Sequence, residues 1–119
     1  MSSTNSVTMI RQFDLWLADL NPPRGTEPGK TRPVVIVQTD LLNDSHASTL
    51  VCPITSKVNV EMELLRVHLS KTQLEQPSDV LVDQVRAIDN KRLLKRLGKL
   101  NKEQVKKLKS NLQIVLDLV

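Results

Sequence analysis

The sequence predicts an α+β fold, a small barrel or sandwich of short antiparallel strands with one amphipathic helix at the C-terminal end. Three observations lead there. Five short runs rich in Val, Ile and Leu are separated by segments of Pro, Gly, Asn and Ser, which is how strands and their turns read. An apolar period of three to four residues appears only after Asn101, and it marks a helix. At 119 residues the chain is long enough for one hydrophobic core and short for two.

Residues 1–10 open on Ser, Thr and Asn and hold little to bury, so a disordered tail is expected ahead of a single domain over 11–119. Phe13 to Leu20 mixes apolar residues with aspartates in an extended pattern, a first strand. Asn21 to Thr31 holds three prolines and two glycines and reads as a long loop. Pro33 disfavours helical geometry at Arg32, and Val34, Val35, Ile36 and Val37 are all β-branched, giving a second, largely buried strand. In Ser48 to Thr55 the side chains of Leu50, Cys52 and Ile54 share one face and those of Val51, Pro53 and Thr55 the other. Pro53 has no N–H for a ladder, so this third strand is expected at an edge or bulged there. Leu65, Val67 and Leu69 alternate with Arg66 and His68 in a fourth, half-exposed strand, and Val80 to Val85 forms a fifth. Arg92 to Leu100 reads as a short helical turn followed by a sixth strand. Asn101 and Gln104 have the spacing of an N-cap and its reciprocal partner. Val105, Leu108, Leu112, Val115 and Val119 supply the apolar stripe of the helix that follows.

Composition excludes several classes. The single cysteine, Cys52, permits no intramolecular disulfide, no secretion signal opens the chain, and no apolar run nears the roughly 20 residues of a membrane span. A soluble, cytoplasmic protein is expected. The formal charge of +4 is concentrated: nine Lys and Arg lie between Lys91 and Lys109 against one acid, Glu103. Such a segment attracts polyanions, although by itself it also fits a solvated helix face. With Phe13 and Trp16 the only aromatic residues, a stacking platform for single strands is not expected.

Gly25-Thr26-Glu27-Pro28-Gly29-Lys30-Thr31 ends like a phosphate-binding loop, but three residues separate its glycines where four are needed, and a strand rather than a helix follows. Nucleoside triphosphate binding is therefore excluded. His46, His68 and Cys52 share no ligand spacing and no carboxylate pair recurs, so no metal or other cofactor is expected. Cys52 lies on an apolar strand face and reads as a buried, unreactive thiol. The loop Asn21 to Thr31, flanked by Arg24, Glu27, Lys30 and Arg32, is long for so small a domain and is the best place for function. Composition fits an ordinary surface loop equally well. Thr55, ending the third strand in Pro53-Ile54-Thr55-Ser56, is alone only a strand-end threonine.

These same residues carry a resemblance. Asp14-Leu15-Trp16-Leu17-Ala18-Asp19-Leu20-Asn21-Pro22, then Gly25-Thr26-Glu27 with Gly29-Lys30-Thr31-Arg32-Pro33-Val34-Val35-Ile36-Val37, then Pro53-Ile54-Thr55-Ser56, then Asp83-Gln84-Val85-Arg86-Ala87-Ile88-Asp89 match in order the blocks of the MazF/PemK toxins. The chain resembles this family of RNA-cleaving toxins of type II toxin-antitoxin modules from about Phe13 to its C-terminus. Two departures stand out: Phe13 replaces a usual glycine, expected to be a local packing change, and Thr26 and Leu81 stand where some members carry a histidine and an arginine.

The resemblance implies a compact SH3-like antiparallel barrel and metal-independent, sequence-specific cleavage of single-stranded RNA. The ribose 2'-hydroxyl would attack the adjacent phosphate, leaving a 2',3'-cyclic phosphate and a 5'-hydroxyl. Arg32 and Thr55 are then the catalytic candidates, Arg32 because a guanidinium stays charged and binds two phosphoryl oxygens at once. Glu27 and Asp83 would support them, and Thr26, Lys30 and Gln84 would bind substrate. A homodimer is implied, with RNA across the joint surface and an antitoxin segment covering the same groove; DNA would be met only through the antitoxin. Two rivals share the fold: a gyrase-poisoning toxin that cuts nothing, and a plain RNA-binding barrel.

Overall fold

The computed structural model describes residues 9–21, 25–26, 30–70 and 73–118. Seven strands precede one helix: β1 (Asp14–Asp19), β2 (Thr31–Ile36), β3 (Ser48–Thr55), β4 (Arg66–Leu69), β5 (Ser78–Leu81), β6 (Arg86–Asp89), β7 (Leu93–Lys99) and α1 (Lys102–Val115). All pairings are antiparallel, and the sheet runs β4-β5-β3-β2-β1-β7, with β6 added to the first half of β3. The barrel is open, since β4 and β7 end the path, and α1 packs against β4 and the 3-10 turn Val82–Gln84. This is the α+β arrangement the sequence predicts. No described helix is long and apolar enough to cross a membrane.

Both faces of the central strands are covered, which is why Val34 to Val37 reads as an unbroken apolar run. Leu15, Val35, Cys52, Ile54, Val67, Val80 and Leu108 join one core, while Trp16, Ala18, Val34, Ile36, Val51 and Ile88 join the other. Leu108 belongs to α1, so the apolar stripe of the helix closes the first core. The expected cap is present in full: Asn101 Oδ1 accepts the Gln104 N–H at 2.8 Å, and Gln104 Oε1 accepts the Asn101 N–H at 2.9 Å.

Several expectations are corrected. Pro53 is not at an edge: β3 is central, paired with β2 through Pro53 itself, and on its other side it switches from β6 at Val51 to β5 at Ile54. Pro53 lies in the break, where no ladder asks it for an N–H. The fifth strand stops at Leu81, turns at Val82–Gln84 and gives way to the unforeseen β6, while the short turn before the last strand is the 3-10 turn Asn90–Arg92. Leu50 is 42% exposed, because the first core ends at Cys52. Residues 1–8 of the expected tail lie outside the described residues, whereas Ile10 is buried and its N–H donates to Asp44 Oδ1 at 2.8 Å.

Phe13 explains the departure noted at its position. Its φ is +72°, a left-handed backbone natural to glycine. Hydrogen bonds hold it on both sides, from its N–H to the Ile36 carbonyl at 2.7 Å and to its own carbonyl from the Leu100 N–H at 3.0 Å. The ring packs on the first core with the Lys109 ammonium 5.6 Å from its centroid.

Candidate nucleic-acid interface

The β2–β3 register pairs Val34 with Pro53 and Val35 with Cys52; Arg32 lies two residues before Val34 and Thr55 two residues after Pro53. Arg32 is half-buried and its Nη1 donates to the Ile54 carbonyl at 3.5 Å. Pro33 keeps this stretch extended and aims Arg32 from the strand rather than from the loop before it. Thr55 is also half-buried, and its Oγ1 accepts the Lys57 N–H at 3.1 Å. A hydroxyl with one acceptor site filled keeps its own proton to donate.

Arg32 opens onto a groove of about 800 Å³. Leu17 of β1, Pro33 of β2, Ile54 of β3 and Leu97 of β7 give it apolar surface, and Arg32, Lys95, Ser56, Gln73, Glu75 and Gln76 give it polar groups. The register explains the meeting of distant residues: Leu17 pairs with Pro33 on one side and Lys95 on the other, so these three form one row across the sheet. Segment 73–78 makes the opposite wall and is tied to the helix start. Gln73 and Gln104 exchange side-chain amide bonds at 2.7 and 2.9 Å, and Gln73 also donates to the Lys99 carbonyl at 3.1 Å.

The candidates from sequence are only partly gathered. Arg32 lines the groove, whereas Thr55 is not among its lining residues, although its chain neighbours Ile54 and Ser56 are. Thr26 lies in an exposed turn and Lys30 is exposed with φ +65°, its N–H donated to Asn21 Oδ1 at 2.6 Å; neither lines the groove. Asp83 and Gln84 belong to the Val82–Gln84 turn against α1, away from the groove lining. Glu27 lies outside the described residues. Lys95, Gln73, Gln76 and Ser56 were not singled out beforehand. Lys95 could have been, as a cation at an alternating position of the last strand, but its partner Leu17 is far away in sequence.

The basic segment divides by function. Arg92 donates to the carbonyls of Asp19 and Asn21 at 3.0 and 2.6 Å and so fastens the start of the 21–31 loop. Arg96 grips the buried Asp14 carboxylate at 2.9 and 3.3 Å, which raises the guanidinium pKa further. Lys107 pairs with Glu63. Lys95 has no ion pair among the described residues and faces the groove, so it is open to an external anion. Cys52 behaves as expected: it is buried, and desolvation first, then the nearby Asp83 charge, pushes its thiol up to about 12.

An open SH3-like barrel with a groove carrying Arg32 and Lys95 defines a small β-barrel protein suited to an anionic ligand. The chain belongs to the PemK-like, MazF-like toxins of type II toxin-antitoxin systems, whose family model matches residues 11–116. It is 36% identical over 112 residues to the endoribonuclease MazF of Staphylococcus saprophyticus, spanning 92% of this chain and 93% of that protein. Crystalline MazF from Deinococcus radiodurans has the same fold, with a TM-score of 0.81 at 20% identity over 93% of this chain and 99% of that one. So does the Mycobacterium tuberculosis toxin MazF-mt6, with a TM-score of 0.76 at 25% identity over 89% and 98%. A MazE-MazF structure from Deinococcus radiodurans matches with a TM-score of 0.78 at 18% identity over 94% and 100%.

Proposed function

We propose that this toxin is a metal-independent endoribonuclease that cuts single-stranded RNA at specific sequences, and that residues 11–119 form its single domain. The observation that carries the reading is Arg32, half-buried at the start of β2 and lining the groove. The name of the staphylococcal relative supports the same activity. In the reaction the 2'-hydroxyl attacks the neighbouring phosphorus, the 5'-oxygen leaves, and the products are a 2',3'-cyclic phosphate and a 5'-hydroxyl. Arg32 neutralises the charge growing on the phosphoryl oxygens, in a partly dry setting that strengthens the contact. The Thr55 proton is free to bond the scissile phosphate. Lys95 holds a flanking phosphate, and the amides of segment 73–78 face splayed bases, the edges through which single strands are read.

Within this proposal Glu27 and Asp83 support catalysis and Thr26, Lys30 and Gln84 touch substrate beyond the groove. A homodimer lengthens the RNA path, and an acidic antitoxin segment covers it, in keeping with the basic charge of the chain and the MazE-MazF structure among its neighbours. A cytoplasmic location follows from such a substrate.

The test is incubation of the purified protein with long single-stranded RNAs in EDTA, alongside Arg32→Ala, with the cut ends mapped. Cuts at a common sequence bearing cyclic phosphates and reduced about 10²- to 10³-fold in the variant are expected, the usual cost of removing one positioned donor. Intact RNA across several sequences sinks the reading and turns attention to gyrase.

A further inference from the structure

Beside the groove lies a dense set of charged side chains with no part in the chemistry above. Asp79 of β5 is fully buried. Its Oδ2 accepts the Asn59 backbone N–H at 2.9 Å and Arg66 Nη1 at 2.8 Å, and its Oδ1 meets His68 Nδ1 at 2.6 Å. His68 Nε2 is 3.2 Å from Glu63, which also accepts Lys107 of α1 at 3.3 Å. The buried Asn111 of α1 donates to the carbonyls of Glu63 and Arg66 at 3.2 and 3.3 Å. Burial pushes the Asp79 carboxyl up, but the Asn59 N–H, His68 and Arg66 together outweigh it and hold the group below its ordinary value, ionised.

The position of this cluster is what gives it meaning. Thr55 pairs with Asp79 and Asp79 pairs with His68, so the three form one row on one face of the sheet. The chain leaving Thr55 is fastened three times: the Lys57 N–H to Thr55 Oγ1, the Lys57 carbonyl to Arg66 Nη1 at 3.0 Å, and the Asn59 N–H to Asp79. Ser56, inside that fastened turn, lines the groove, as does Ser78 next to Asp79. A buried ion pair adds little stability compared with apolar side chains of the same size, but removing one partner leaves an uncompensated buried charge.

We propose that Asp79, with Arg66 and His68, is a positioning hub that holds the Thr55–Ser56 edge of the groove in its working place. None of the three lines the groove, so each acts through the turn 56–59. The link to catalysis rests on the nuclease reading; the link to the turn does not. Glu63 and Lys107 brace the hub from the helix side.

The test compares the full chain with Asp79→Asn, His68→Gln and Arg66→Lys, measuring kcat and KM on an RNA oligonucleotide with a mapped cut site and hydrogen exchange at the Asn59 and Lys57 amides. Asp79→Asn is expected to speed Asn59 exchange and to lower kcat about tenfold or more with KM little changed, since small displacements of a reacting group are costly. Arg66→Lys, which keeps the charge but loses the two-way grip, should lower kcat less. If Asp79→Asn does not fold, His68→Gln and Arg66→Lys carry the comparison, because both keep the carboxylate. Wild-type exchange in the folded variants, or a loosened turn with unchanged kcat, overturns the hub. Should the parent protein cut no RNA at all, the nuclease reading fails, and amide exchange alone still decides whether the hub holds the turn.

Discussion

Phe13 offers a clean separation of backbone strain from side-chain packing. An L-residue in the left-handed region is held there at a cost of about 1–2 kcal/mol, which glycine does not bear. At φ +72° Phe13 bears it, and hydrogen bonds at its own N–H and C=O prevent relaxation. Phe13→Ala and Phe13→Gly lose the same ring, including its contacts with the first core and with Lys109. A fully buried Phe→Ala change costs about 3–5 kcal/mol, so for this half-buried ring a loss of about 2 kcal/mol is expected. The two variants then differ only in the backbone. At ordinary positions glycine is about 0.5–1 kcal/mol less stable than alanine because its unfolded chain is freer. Here relief of strain reverses the order, leaving Phe13→Gly about 0.5–1 kcal/mol more stable than Phe13→Ala, or about 2–5 °C in Tm for a domain of this size. Urea and thermal unfolding of both variants measure it. An alanine variant as stable as the glycine one, or more so, refutes the strained backbone.

Other expectations follow from the charged groups. Lys95→Ala should weaken RNA binding and reduce the slope of log affinity against log salt by about 0.7, the share of one phosphate contact on a single strand; an unchanged slope removes Lys95 from the RNA path. His68 faces Asp79 from β5, Glu63 from the preceding loop, Arg66 on its own strand and, through Glu63, Lys107 from α1. The bond to Asp79, against the opposing effect of burial, raises its pKa above the ordinary 6.5. Its contribution to stability is therefore complete below pH 6.5 and fades as pH climbs through the raised value. The stability difference between the parent and His68→Gln should shrink over that window, and a difference that grows with pH contradicts the network. Cys52, buried with its pKa near 12, should resist thiol-labelling reagents at neutral pH until the chain unfolds; fast labelling of the native protein would mean that β3 opens.

The sequence alone determined six of the seven strands and the helix that follows them, because each depends on local pattern: β-branched runs, the proline and glycine loop, and the Asn101–Gln104 cap. It also marked Arg32 and Thr55, since the resemblance rests on contiguous blocks. It missed β6, because Val82–Gln84 is apolar enough to read as more strand while its backbone turns to feed Arg86–Asp89 onto β3. Pro53 was read as the sign of an edge or a bulge, when a change of partner satisfies the same constraint. Only the tertiary structure decided which cations face the groove: Arg92 is bound to the Asp19 and Asn21 carbonyls and Arg96 to Asp14, whereas Lys95 lines the groove, a distinction set by partners far away in the chain. The Asp79 hub was likewise hidden, since an aspartate in an apolar strand has no reason to be there until the register sets it beside His68 and Thr55. Local propensity acts through neighbours in the chain and can be read from them, whereas a groove is made by residues that only strand pairing brings together.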